Sequence, residues 1–136
     1  MGAMTAALTS VNAALTTAGI ATVIKEFSNV TPPTNAHCVL SVEASTLDRG
    51  DADTLDGTLT VTVDWFSPGL ESDGQTEFLA AMDAWDLIVV ALCGLDRTCQ
   101  SVDPGGNIVR LEESADLAHW YAATAAVTFM RKEAGI

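Results

Sequence analysis

A chain of 136 residues is the size of one domain and can bury a core without disulfides or metals. Eighteen acids against six bases leave a net charge of −12. That excludes a nucleic-acid binder that grips phosphates, since such binding needs Lys and Arg to neutralise them. Cys38, Cys93 and Cys99 make an odd count without framework spacing and read as reduced thiols of a cytosolically made protein. The Met1–Ala18 segment lacks the basic n-region of a signal peptide, and its Thr, Ser and Asn break any h-region. The longest apolar stretches, Leu87–Leu92 and Tyr121–Val127, fall far short of a membrane span.

In chain order, Leu8, Val11, Leu15 and Ala18 recur at helical spacing and predict a helix over Met4–Ala18, stopped by Gly19. Ile20–Phe27 alternates as a strand, and Thr31-Pro32-Pro33-Thr34 must be an extended connector. His37–Ser45 is predicted as a second strand, with Cys38, Leu40 and Val42 on one face and Ser41 and Glu43 on the other. Leu47–Gly57 should be a mobile, solvated loop carrying Asp48, Asp51, Asp53 and Asp56. It joins two strands as a hairpin, and at about 11 residues it exceeds the usual two to five, a length that is often functional.

The clearest pattern lies at residues 58–66. Leu59, Val61, Val63 and Trp65 alternate with Thr58, Thr60, Thr62 and Asp64, the period of a half-buried strand. Pro68 and Gly69 end it. A helix over Asp73–Cys93 follows: Ser72 and Gln75 have capping-box spacing, Glu71, Asp73 and Glu77 suit its N-terminus, and Gly94 stops it. Phe78, Leu79, Met82, Trp85, Ile88, Val89 and Leu92 give it a broad apolar face for packing across a sheet. Arg97–Val102 and Ile108–Glu112 flank Asp103-Pro104-Gly105-Gly106 and read as a hairpin. His119–Lys132 is a last strand, apolar on both faces and therefore central or covered. The expected fold is α+β: an antiparallel sheet of about four main strands, two helices packed on one face and a protruding acidic hairpin loop.

Chemical motifs are sparse. His37 and His119 sit beside Cys38 and Trp120 in predicted strands, where neighbours point to opposite faces, so ordinary strand positions are the better reading. No G-x-S-x-G elbow or catalytic-cysteine signature is present. Cys93 and Cys99 lack metal-ligand spacing, and buried free thiols are the simpler assignment. Asp51, Asp53 and Asp56 are closely spaced but lack the ligand order and closing glutamate of a calcium loop. Glu112, Glu113 and Asp116 beside Arg110 read as a solvated turn, and Gly105-Gly106 precedes a strand, the wrong context for a phosphate loop. Trp65, Trp85 and Trp120 are core or interface residues. No catalytic residue, metal or cofactor is predicted.

The order of elements resembles the tail terminator proteins of long-tailed bacteriophages and the related tail-completion and neck proteins. Four features carry the likeness: the N-terminal helix ending at Gly19 with Ile20–Phe27 behind it; the Pro32-Pro33 connector into Cys38–Val42; the Thr58–Phe66 strand feeding the Asp73–Leu92 helix; and the strand Trp120-Tyr121-x-x-Thr124 running to Phe129 and Arg131. The resemblance implies a ring, usually of six copies, that caps the tail tube, stops its polymerisation and offers a joining surface to the neck or head-closure protein. It implies a virion protein assembled in the host cytoplasm, with DNA only as cargo passing through the lumen and no membrane.

Exposure and charge nominate two working surfaces: the loop with Asp48, Asp51, Asp53 and Asp56, and the Arg97–Glu113 hairpin (Arg97, Arg110, Glu112) with the Arg131-Lys132 pair. Two alternatives remain open. One is another neck, head-closure or tail-tube subunit. The other is a small ligand-binding or enzymatic domain with its pocket on the open sheet face, at Thr58, Thr60, Thr62 and Asp64.

Overall fold

The alternating segment at 58–66 becomes the middle of the sheet. The computed structural model describes residues 2–25, 33–50, 54–69, 74–95, 99–113 and 118–134. In chain order the elements are α1 (Ala3–Thr17), β1 (Thr22–Ile24), β2 (His37–Ala44), β3 (Asp48–Arg49), β4 (Thr54–Pro68), α2 (Gly74–Cys93), β5 (Ser101–Asp103), β6 (Val109–Glu113) and β7 (Ala118–Ala134).

The α+β class holds, but the sheet is a mixed one of seven strands among the described residues, in the order β1-β2-β4-β7-β5, with β3 on β4 and β6 on β7. Three differences from the expected four-strand antiparallel sheet have physical causes. First, β1 pairs with β2 in parallel, Thr22 opposite Cys38 and Ile24 opposite Leu40. Apolar alternation does not encode direction; the connection between the strands decides it.

Second, most of the segment foreseen as a loop continues the ladder. Asp48 pairs with Asp56 and Arg49 with Leu55, and the Gly50 N–H donates to the Thr54 carbonyl at 3.1 Å. Residues 45–47 face only 57–58 between the two paired stretches, so one extra residue forms a bulge there. Asp51 and Asp53 lie outside the described residues. Third, β5 and β6 do not pair with each other. Both pair with β7, Asp103 opposite Ala126 and Val109 opposite Ala122, so the predicted hairpin is one interrupted edge strand. Gly105, at φ 74°, turns the chain out against the Thr124 carbonyl, and its N–H donates to the Asp103 carboxylate at 2.9 Å.

α1 buries Ala7, Val11 and Leu15 on one stripe. It ends as its sequence implies: Gly19, at φ 83°, donates to the Thr16 carbonyl and Ile20 to the Leu15 carbonyl, both at 3.0 Å, a Schellman motif. α1 packs on β2 and β4, and α2 on β7 and α1, so both helices cover the same face. Between them and the sheet lie Leu40, Leu59, Val61, Val63, Ile88, Leu92 and Val127, all essentially inaccessible. Trp65 and Trp85 meet here with ring centroids 5.9 Å apart. On the opposite face a small second cluster of Val39, Phe66 and Trp120 is buried, with Leu111 and Ala122 packed against it; Thr, Ser and Asp side chains follow along β2 and β4, and Val109 and Met130 are exposed there.

Candidate functional site

α2 buries Glu77, Ala81, Trp85, Ile88 and Leu92, an i, i+4, i+8, i+11, i+15 stripe. Its first member is a carboxylate. Glu77 stands in the first turn of the helix, as expected, and it also faces the sheet, where it contacts the His119 Nε2 nitrogen. The two side chains are only 7% and 13% exposed, so this is an interior pair. Tyr121, two residues along the same strand face, stacks edge-on against His119 with centroids 5.9 Å apart, and its hydroxyl hydrogen-bonds Glu77. Burial first, then that hydrogen bond and the Glu77 charge, push the Tyr121 hydroxyl above the ordinary tyrosine value; Arg110 opposes them.

The surroundings leave little slack. The Gly69 N–H donates to the His119 carbonyl at 2.9 Å, and a Cβ at Gly69 would run into the His119 ring. Phe78 covers Tyr121 from the helix side at 6.2 Å. A cavity of about 240 Å³ opens beside Glu77 and Tyr121, lined also by Ser67, Thr76, Ala80 and Ala84.

Two sequence-nominated residues join this cluster. Arg110 stands opposite Tyr121 and Glu112 opposite His119, so both project on the helix side of the sheet. They form an exposed ion pair at 3.1 Å, of a kind worth little to stability. Asp48, Asp56, Arg131 and Lys132 sit at the far end of the β4–β7 ribbon, ten residues along β7 from Tyr121, or about 34 Å. There Asp48 is exposed, Asp56 stands opposite Lys132, and Arg131 pairs with Glu133 at 3.1 Å. Arg97 lies outside the described residues. The nominated surfaces are therefore two ends of one ribbon.

Elsewhere, Cys38 is fully buried and its thiol is pushed up to about 12, by burial first and the Asp64 charge second. Cys93, expected to be buried, is exposed, and Cys99 is intermediate. On the open face the Thr124 hydroxyl donates to the Asp64 carboxylate at 2.7 Å. Among the described residues, no group of three or more His, Cys, Asp or Glu is arranged to hold a metal, and no helix is long and apolar enough to cross a membrane.

The broadest unusual surface is the outer side of α2. Phe78, Leu79, Met82, Leu87 and Val90 are exposed by 41, 51, 41, 54 and 68%. The apolar face foreseen for this helix is thus wider than the part the sheet covers. Between α2 and residues 106–108 runs a groove of about 470 Å³, with Phe78, Met82, Trp85 and Ile108 as its apolar lining and Asp86 at its edge.

Comparison with known proteins adds no identity. The chain matches no family model, and no curated protein matches it.

The Glu77–His119–Tyr121 cluster escaped the sequence reading because each residue has an ordinary local excuse. Glu77 suits a helix start, and a strand histidine is commonplace. The available signal was Glu77 in register with Ala81, Trp85, Ile88 and Leu92: a carboxylate on a buried stripe requires a partner.

Proposed function

We propose that this chain is a ring-forming structural subunit of a long-tailed phage virion, in the role of a tail terminator. In that role a ring, taken as six copies, caps the tail tube, stops its polymerisation and presents a joining surface to the neck or head-closure protein. The single observation that carries the reading is the apolar outer face of α2, with five large hydrophobic side chains more than 40% exposed. Exposed Asp83 and Asp86 lie among these side chains on the same helix, so the face is apolar with a carboxylate rim, and exposed apolar area of this kind supports a protein contact. Closed symmetric assembly is the usual way for a homo-oligomer to cover it.

Two further features support the reading. The β4–β7 ribbon pairs over fifteen residues, roughly 48 Å, long enough to reach past the helical layer toward a neighbouring ring. The net charge of −12 suits a lumen through which DNA slides without sticking, since like charges repel over a Debye length of about 8–10 Å.

Light scattering of the purified protein at several concentrations and two salt levels tests the reading, followed by electron microscopy with its cognate tail-tube protein. A species near six times 14.2 kDa, seen as a ring on one end of the tubes, is the expected result. A strict monomer that leaves tube growth unaffected would overturn it. The second reading, a ligand-binding domain, draws on the cavity beside Glu77, Thr76 and Ser67, and a strict monomer would favour it.

A further inference from the structure

The sheet has two edges, and each carries an uncovered apolar surface. At one edge β1 is a three-residue strand that has, among the described residues, a neighbour on one side only. Its Val23 and Ile24 are 39% and 54% exposed. By register Ile24 lies on the helix side of the sheet, since it stands opposite Leu40 of the core. At the other edge lies the groove between α2 and residues 106–108. The α2 side that meets α1 is different in character: small residues, with Ala91 and Gly94 against Ala13, Ala14 and Thr17. The large exposed side chains Phe78 and Met82 instead flank the groove, on a floor formed by Trp85.

Charge adds a polarity to this pairing. The chain has only six basic residues, and one of them, exposed Lys25, directly follows Ile24. The groove carries Asp86, with exposed Asp83 one turn away on the same helix. Lys25, Asp83 and Asp86 make no ion pair among the described residues. An apolar residue followed by a cation at one edge therefore matches an apolar groove rimmed by carboxylate at the other.

We propose that this groove receives β1 of a second copy of the chain, with Ile24 seated among Phe78, Met82 and Ile108 and Lys25 against Asp86. The proposal deepens the ring reading by assigning its subunit contact. The contact joins two different surfaces on opposite edges of the molecule, so it is heterologous and propagates head to tail, which is how rings are built. A contact between two α2 helices would be self-complementary and would stop at a dimer. It would also bring Asp83 and Asp86 of one copy toward the same carboxylates of the other. Covering β1 removes an exposed strand edge at the same time.

Charge exchange tests the contact, with mass read by light scattering and sedimentation across a concentration series and folding checked by circular dichroism. Lys25→Glu and Asp86→Lys should each weaken self-association on the order of tenfold or more, because each places like charges together. The double variant K25E/D86K should assemble again. An equimolar mixture of the two single variants should assemble too, because in an alternating ring every contact is either native or exchanged. A wild-type assembly that neither substitution weakens would overturn this contact while leaving the ring reading standing. Sensitivity to D86K but not to K25E would put α2 in an interface without β1 and would also overturn it. A wild-type protein that stays monomeric at every concentration would overturn the contact and remove the main support for the ring.

Discussion

Replacing Glu77 by alanine should destabilise the fold far more than a helix-start glutamate normally would. The carboxylate partners two groups, the His119 ring and the Tyr121 hydroxyl. Tyr121 is 2% exposed, so only water entering the adjoining cavity could replace the lost acceptor. Leaving a buried donor unpaired costs about 1–3 kcal/mol. His119, with its side chain 13% exposed, can recover part of its solvation and should add about 1 kcal/mol. Removing the buried charge of Glu77 returns some of its own desolvation cost. The net loss expected is about 2–3 kcal/mol, or roughly 8–12 °C in melting temperature for a domain of this size.

The decisive assay is a double-mutant cycle with Tyr121→Phe, measured by urea unfolding at fixed protein concentration, because association shifts apparent stability. Tyr121→Phe alone should cost about 1 kcal/mol. In the Glu77→Ala background it should instead restore part of the loss, because it removes the donor left without an acceptor. Glu77→Gln keeps one acceptor oxygen and should fall between wild type and alanine. Additivity within about 0.5 kcal/mol would refute the shared bond, and a Glu77→Ala loss below that size would refute the buried cluster as a source of stability.

Alkaline pH should loosen the core through Cys38, whose thiol is raised from 9.0 to about 12. The unfolded chain loses this proton near pH 9 while the folded chain keeps it, so the contribution is intact below pH 9 and falls as pH rises toward 12. The slope is at most roughly 1.4 kcal/mol per pH unit, and Cys38→Ala should flatten the decline in urea midpoint between pH 8 and 10.5; parallel declines would refute the assignment. The raised hydroxyl of Tyr121 acts in the same direction above about pH 10. Gly105→Ala should cost about 2 kcal/mol or more, since it combines positive φ with collision against the Thr124 carbonyl, whereas Gly19→Ala, with open space around it, should cost about 1. Equal losses in thermal melts would contradict the close approach at Gly105. Leu79→Asp with Val90→Asp should reduce self-association while changing monomer stability by less than about 0.5 kcal/mol, because both side chains are more than half exposed. Unchanged association in light scattering would mean that this face is not used.

Local pattern revealed much of this fold because local pattern is what the energetics use. Period-two alternation identified the faces of β2 and β4, with Cys38, Leu40, Leu59, Val61, Val63 and Trp65 all buried on the helix side. The Gly19 stop and the end of α2 before Gly94 followed from stop residues and periodicity, while the cap expected at Glu71, Ser72 and Asp73 lies outside the described residues. Pairing partners did not follow, because they depend on segments distant in sequence. Nothing in Thr22–Ile24 distinguishes a parallel edge strand from an antiparallel one. Asp103-Pro104-Gly105-Gly106 has the composition of a hairpin turn, yet five residues, 104–108, here span the three-residue gap 123–125 on β7. The site was harder still: Glu77 and His119 lie 42 positions apart in the chain and meet only because α2 folds back over β7.

The apolar surplus of α2 and the polarity of the open sheet face point the same way. On the open face Thr60 stands opposite Thr128, Thr62 opposite Ala126, and Asp64 is bonded to Thr124. Small side chains with their own hydrogen bonds sit comfortably against water and offer little apolar area to a partner. α2 has the opposite character. Its sheet-facing stripe is Ala81, Trp85, Ile88 and Leu92, yet the sequence adds Phe78, Leu79, Met82, Leu87 and Val90, each more than 40% exposed. Phe78 also packs on Tyr121, but Leu79, Leu87 and Val90 are more than half exposed, and at such positions Lys, Glu or Gln would serve helix propensity as well or better. Phe and Val are poorer helix formers than those residues, so local stability does not select them there. Interface burial does, which is why substitutions on this face should separate folding from association.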